Sequence, residues 1–254
     1  MPLPANTLGV SNALSWQHLA ALGVFAVVVG VVVTLGRRWR FGASEQRVGA
    51  RRLRIGVGLL GLVAWGQSFV YYLLPARFAW SKSLPLELCD LAALIAPLAI
   101  LTGWRTPRAV LHFWGLALCT QFFVTPVHAP GTPAFYVGWV LHAGIIGSAL
   151  FDAFGLGFRP GWRDLRTGVL AACAYLAVIL PFDIATGFNY GYVGASRPGP
   201  PTIVDALGAW PLRVVWIGLI AAAAMTVVML LNAVFRRAEP GPPAPPLGQS
   251  PGRH

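Results

Sequence analysis

Apolar residues run in long blocks separated by short polar punctuation, the pattern of a chain that crosses a lipid bilayer several times. A helix needs about 20 mostly apolar residues to span the hydrocarbon. Blocks of that kind fall at 17–36, 55–75, 86–104, 109–127, 134–156, 167–188 and 211–234. They predict an all-α, polytopic bundle of seven transmembrane helices. The third and fourth blocks are separated only by Arg105-Thr106-Pro107-Arg108. A proline that stops a helix, flanked by basic side chains, predicts a tight reversal there. Residues 1–237 read as a single transmembrane domain. The segment 238–254, AEPGPPAPPLGQSPGRH, is rich in proline and glycine and reads as a disordered cytoplasmic tail. No internal repeat suggests the duplicated halves of many transporters.

Composition sharpens this picture. Of 254 residues 56% are hydrophobic and 11% charged, roughly half the charged fraction of a soluble domain, and the mean hydropathy is +0.66. The formal net charge of +11 would suggest nucleic acid in a soluble protein. Here the arginines sit in short clusters between apolar runs, so no nucleic-acid partner is expected. One side of the membrane would hold Arg37, Arg38, Arg40, Arg47, Arg51, Arg52 and Arg54, then Arg105, Arg108, Arg159, Arg163, Arg166, Arg236, Arg237 and Arg253. The other holds Arg77, Lys82, Arg197 and Arg213. Positive charge stays in the cytoplasm, which predicts the N-terminus outside and the C-terminus inside. The first twenty residues lack a basic start and a cleavage site, so the first block reads as a retained span with Arg37-Arg38-Trp39-Arg40 as its stop.

Ionisable groups in hydrocarbon are costly and mark functional candidates. The predicted topology places Glu87, Cys89 and Asp90 in the first turns of the third span, with Gln121 and Thr125 near the outer end of the fourth. His142 lies two turns into the fifth, Asp183 near the outer end of the sixth, and Asn189 and Tyr190 just beyond it. At 1.5 Å per residue, Cys89, Gln121, His142 and Asp183 all fall roughly 6–12 Å below the outer surface. The inner half offers His112 and Asp152. Ala92, Ala93 and Ala96 follow Cys89 at helical spacing, and small residues admit a close neighbour. A histidine from the fifth span is thereby a candidate base for the Cys89 thiol. Cys119 and Cys173 read as inert small hydrophobes. Trp65, Trp80, Trp114, Trp139 and Trp210 read as interfacial belt or packing.

The segment Leu84-Pro85-Leu86-Glu87-Leu88-Cys89-Asp90 resembles the signature at the start of the third helix in bacterial YwaF-type integral membrane proteins. The resemblance continues through Phe113-Trp114-Gly115-Leu116, Gln121, Thr125-Pro126 and His142. It extends to Phe188-Asn189-Tyr190-Gly191-Tyr192, Arg197-Pro198 and Asp205-Ala206-Leu207-Gly208-Ala209-Trp210-Pro211. That family includes the eukaryotic transmembrane protein 164, a fatty acyltransferase on ether phospholipids with a cysteine and a histidine in its mechanism. The resemblance implies those roles for Cys89 and His142, and a bacterial cytoplasmic (inner) membrane location. Two departures stand out: Glu87 where relatives often carry histidine, and Ala143 between His142 and Gly144.

The leading expectation is therefore a membrane-embedded phospholipid fatty acyltransferase or lipase-like acyl hydrolase. Cys89 would be its nucleophile and His142 its base. Glu87, Asp90, Gln121, Asp183, Asn189 and Tyr190 would support the oxyanion, the base or the substrate. Membrane phospholipids are the expected partners, with no cofactor and no metal. The rivals are a proton-coupled transporter or channel using the Glu87, Asp90, His142 and Asp183 layer, and a non-enzymatic membrane scaffold. A retinal protein is excluded, because the one lysine, Lys82, lies outside every span.

Overall fold

The computed structural model describes residues 13–40, 42–195 and 207–238, and among them every regular element is helical. Chain order gives α1 (Trp16–Arg40), α2 (Ser44–Leu73), the short α3 (Trp80–Ser83) and α4 (Leu88–Thr102). Next come α5 (Arg105–Phe113), which widens into a π-helical turn at Trp114–Leu118, and the short α6 (Gln121–Val124). Then follow α7 (Pro133–Leu150) with a π-helical end at Phe151–Gly155, α8 (Trp162–Thr186), a 3-10 turn at Tyr190–Tyr192, and α9 (Leu212–Ala238). The expected disordered tail and the Arg197-Pro198 and Asp205-Ala206 motifs lie at or beyond the edges of the described residues.

Six helices are long and apolar enough to cross a membrane: Trp16–Arg40, Ser44–Leu73, Trp80–Thr102, Pro133–Gly155, Trp162–Thr186 and Leu212–Val234. These match six of the seven predicted blocks. The fourth block, 109–127, is different. Its helix begins at Arg105, and Pro107 sits in the first turn, where its missing N–H breaks no helical bond. The reversal is made instead by Gly103, a left-handed C-cap at φ 71° whose N–H donates to the Ala99 carbonyl. Further on, the Cys119 N–H reaches five residues back to the Trp114 carbonyl at 2.9 Å. The rod from Arg105 to Leu118 rises about 21 Å, short of the ~30 Å hydrocarbon.

The bundle turns its aliphatic side chains outward. Val24, Val27, Val28 and Val31 of α1 and Leu219, Ile220, Leu230 and Leu231 of α9 are exposed, while His18, His112, Asp152, Asp183 and Arg213 are buried. With lipid as solvent, apolar surface gains nothing by being hidden, so close packing and polar contacts must hold the helices together. The packing comes from a stripe of small residues. Gly58, Gly61, Ala64 and Ser68 form the buried face of α2, set against α4 with its buried Ala92, Ala93, Ala96 and Pro97. A side chain added at Gly58 would lie 2.5 Å from Leu101, and one at Gly144 of α7 would lie 3.0 Å from Ala64.

Arginines brace the end of the bundle where α2 and α5 begin. Arg54 donates to the Ile100 and Leu101 carbonyls at 2.6 and 2.7 Å, satisfying the end of α4. Arg105 makes a forked pair with Asp164 at 2.9 and 2.7 Å. Arg108 holds Asp152 at 2.9 Å and lies over the Phe158 ring. Three arginines near helix starts and ends thus tie four helix ends together. Asp152 is nearly fully buried, so removing Arg108 strands a charge. Arg108→Met should cost about 3–5 kcal/mol, and pairing it with Asp152→Leu should restore most of that. Thermal unfolding in detergent of the single and double variants tests this, and equal losses in both would refute it.

Candidate functional site

At the opposite end, the chain ahead of α4 is strapped to the loop after α8. Glu87 is the N-cap of α4, and its N–H donates to the Asp90 Oδ2 at 3.3 Å. The Glu87 Oε2 accepts the Gly191 N–H at 2.9 Å. The Tyr175 hydroxyl donates to the Leu86 carbonyl at 2.8 Å, and the Tyr190 hydroxyl to the Trp80 carbonyl at 2.5 Å. Gly191 has φ 59°, and a side chain there would sit 2.6 Å from the Tyr175 hydroxyl. Both the left-handed backbone and the close approach require glycine. Burial pushes the Tyr190 hydroxyl up to about 12, so it remains a donor.

This strap fixes the start of α4 and with it Cys89, the second residue of the helix. The Cys89 thiol is partly buried and interacts with the side chains of Cys119 and His142. His142 comes from α7, which packs directly on α4. Its Nδ1 lies 2.8 Å from the Gly138 carbonyl of its own helix. A carbonyl only accepts, so Nδ1 carries a proton, and in the neutral ring the lone pair is on Nε2. The imidazole stacks on Phe122, with centroids 4.1 Å apart and planes 8° from parallel. Gly138 makes room for this ring, since a side chain there would approach it to 3.0 Å. The histidine is thereby held in one tautomer and one orientation beside a thiol, an arrangement capable of proton transfer.

Two neighbours were not legible in the sequence. Cys119, read as an inert hydrophobe, is buried against Cys89. The π-helical turn at Trp114–Leu118 adds a residue to the turn and rotates everything after it, which a straight-helix reading of 109–127 misses. His128, in the loop before α7, pairs its Nε2 with the Tyr72 hydroxyl at 3.2 Å. Burial holds this histidine below its ordinary range, and the Lys82 ammonium pushes the same way. Loop position hides such a contact from helical periodicity.

The remaining expected residues lie in different settings. Gln121 opens α6 with its side chain exposed. Asp183 is 1% exposed. The Tyr190 backbone approaches its carboxylate without reaching hydrogen-bond geometry, so both oxygens lack a partner among the described residues. The Asn189 Oδ1 is likewise buried without one. Asp183, expected to orient His142, is replaced in that task by the Gly138 carbonyl. At the far end His112 pairs with Asn232 at 2.9 Å and Asp152 with Arg108. Among the described residues no group of three or more His, Cys, Asp or Glu is arranged to hold a metal.

A family model matches residues 13–229, a stretch that runs from before α1 into α9 and holds Cys89, Cys119 and His142. The chain belongs to the TMEM164 family. Together with the six apolar helices, this makes it an integral membrane protein. No curated protein and no solved structure matches it. Within this family member the strap at Gly191 is the most exposed to test. Gly191→Ala forces a left-handed residue to carry a side chain, at about 1–2 kcal/mol, and displaces Tyr175. Lower thermal stability with faster maleimide labelling of Cys89 is the expected outcome; unchanged labelling would show that the strap does not position α4.

Proposed function

We propose that this TMEM164-family protein is a membrane-embedded phospholipid fatty acyltransferase, or a lipase-like acyl hydrolase, with Cys89 as nucleophile and His142 as base. The observation that carries the reading is the His142 ring, held by the Gly138 carbonyl with its proton on Nδ1 and placed beside the Cys89 thiol. A cysteine is a weak nucleophile until a base takes its proton. The Nε2 lone pair of His142 is that base.

In this mechanism Nε2 takes the thiol proton as the Cys89 sulfur attacks an ester carbonyl carbon of the lipid. The tetrahedral intermediate collapses with cleavage of the carbon–oxygen bond to the glycerol. Nε2 returns its proton to the leaving lyso-lipid oxygen, and the acyl group remains on Cys89 as a thioester. The acceptor, a lyso-lipid hydroxyl or water, then gives its proton to Nε2 and attacks the thioester. Cys89 departs and recovers its proton from Nε2. Gln121 and Asn189 carry the side-chain amides available to the oxyanion. Glu87, Asp90 and Tyr190 hold the start of α4 and act by positioning.

The same reading takes the chain as a YwaF-type member of the family in a bacterial cytoplasmic (inner) membrane. It has seven spans, the short α5 rod being the fourth, with the N-terminus outside and the C-terminus in the cytoplasm. The arginine braces then lie on the inner side, and Cys89 lies at the depth of lipid ester groups in the outer leaflet. A second reading draws on the buried carboxylate of Asp183, whose oxygens lack a hydrogen bond of full geometry among the described residues: a proton-coupled small-solute transporter or channel, in which acidic residues are indispensable and Cys89 is not.

Purified protein supplied with a labelled phospholipid should form an adduct seen by intact mass. The adduct is expected to be hydroxylamine-labile, absent from Cys89→Ala, and reduced about 10²-fold or more in His142→Ala. An adduct that persists in Cys89→Ala, or none in the unaltered protein, rejects the acyl-enzyme reading.

A further inference from the structure

Cys119 takes no part in the acyl-transfer steps, yet the fold delivers its thiol to the nucleophile. Its N–H reaches back to the Trp114 carbonyl across the π-helical turn, and its own carbonyl accepts the Phe122 N–H at 3.3 Å. It therefore stands at the joint between α5 and α6, while Cys89 stands in the first turn of α4. Cys89 packs against the buried core cluster that contains Cys119, and the two side chains interact directly. Neither cysteine is locked in mid-helix. Small adjustments at two helix ends can therefore bring the sulfurs from contact to the ~2.05 Å of a disulfide bond.

Their exposures set an order of events. Cys89 is partly exposed and has the His142 imidazole beside it, whereas Cys119 is 1% exposed. The thiolate is the form that peroxides oxidise, and susceptibility follows exposure. A small hydroperoxide thus meets Cys89 first, where His142 draws off the proton. Cys119 is shielded from the oxidant but not from Cys89, which is the placement of a resolving thiol. The third cysteine, Cys173, is exposed on α8 and lies outside this cluster.

We infer that Cys89 and Cys119 form a reversible redox pair, closed to a disulfide by a hydroperoxide and reopened by a dithiol. In the first step the Cys89 thiolate attacks the peroxide and the O–O bond breaks. Cys89 becomes a sulfenic acid, and the departing hydroxide takes the proton held on His142 and leaves as water. The Cys119 sulfur then attacks the sulfenic sulfur, the S–O bond breaks, and the hydroxyl leaves with the Cys119 proton as a second water. The two sulfurs are oxidised by two electrons in all, and the peroxide is reduced by the same two. A dithiol reverses the bond by exchange, becoming a disulfide itself and returning a proton to each cysteine. The bond holds Cys89 short of sulfinic acid, which thiols do not reverse. Closure needs the two thiols alone, whereas its effect, arrest of acyl transfer, rests on the reading above.

Hydrogen peroxide applied to the full-length protein in nanodiscs tests this, read by intact mass, peptide mapping and thiol labelling after denaturation. The mass should fall by two hydrogen atoms, and the free thiols should drop from three to one, Cys173 alone. Mapping should show a peptide joining Cys89 to Cys119. The oxidised protein should lose acyl-adduct formation in proportion to the disulfide present, and dithiothreitol should restore both the thiols and the adduct. Cys119→Ala should instead accumulate a dimedone-reactive sulfenic acid at Cys89 and then sulfinic acid, with recovery in dithiothreitol lost. Cys173→Ala should oxidise and recover like the unaltered protein. A sulfenic acid at Cys89 that persists beside a free Cys119, a bond made to Cys173 or between two chains, or equal recovery in Cys119→Ala would each overturn the inference. The peptide map of the unaltered protein decides the matter even if Cys119→Ala fails to fold. A Cys89–Cys119 disulfide in a protein that forms no acyl adduct when reduced removes acyl transfer and keeps the redox pair. An acyl adduct without any disulfide does the reverse.

Discussion

Helices that share a lipid solvent are held together by how closely their backbones can approach, and here that approach is made on one face of α2. Gly58, Gly61, Ala64 and Ser68 leave no side chain large enough to separate α2 from α4 and α7. Gly144 and Ala64 meet where any extra methyl group would collide. Ala92, Ala93 and Ala96 do the same for α4. Because α4 and α7 are brought together this tightly, the second residue of one reaches the tenth residue of the other. Cys89 and His142 are neighbours as a result of this backbone proximity.

Polar interactions then fix the two ends separately. At the arginine-rich end, Arg54, Arg105 and Arg108 close helix termini and bind the buried Asp164 and Asp152. At the other, carbonyls and amides predominate: Tyr175 to Leu86, Tyr190 to Trp80, and Gly191 to Glu87. His142 is oriented in the same economical way, by a carbonyl four residues back on its own helix and by the face of Phe122.

The α5 segment shows how a local distortion serves the assembly. A straight helix from Arg105 would carry Cys119 on a different face. The π-helical turn at Trp114–Leu118 rotates it inward and ends the rod, leaving α6 to turn Phe122 under the His142 ring. Trp114 anchors the turn by donating from its ring nitrogen to the Gly168 carbonyl at 3.1 Å. Nothing in the apolar run 109–127 marks this break, since leucine, alanine and glycine fit an α-turn and a π-turn equally well.

The spacing of apolar blocks determined the all-helical, membrane-spanning character and the order and approximate places of six long helices, because hydrocarbon thickness and the 1.5 Å rise leave few alternatives. The sequence also narrowed the polar candidates to a few residues, since ionisable groups in lipid are too costly to be scattered. It did not determine which of them meet. Depth along a helix is legible from residue number, whereas rotation about the helix axis and the choice of neighbour are set by packing. Cys89 and His142 shared a layer with Gln121 and Asp183 on the page. Only the tertiary structure told them apart, exposing Gln121, burying Asp183, and bringing Cys119 in from a helix whose register had shifted.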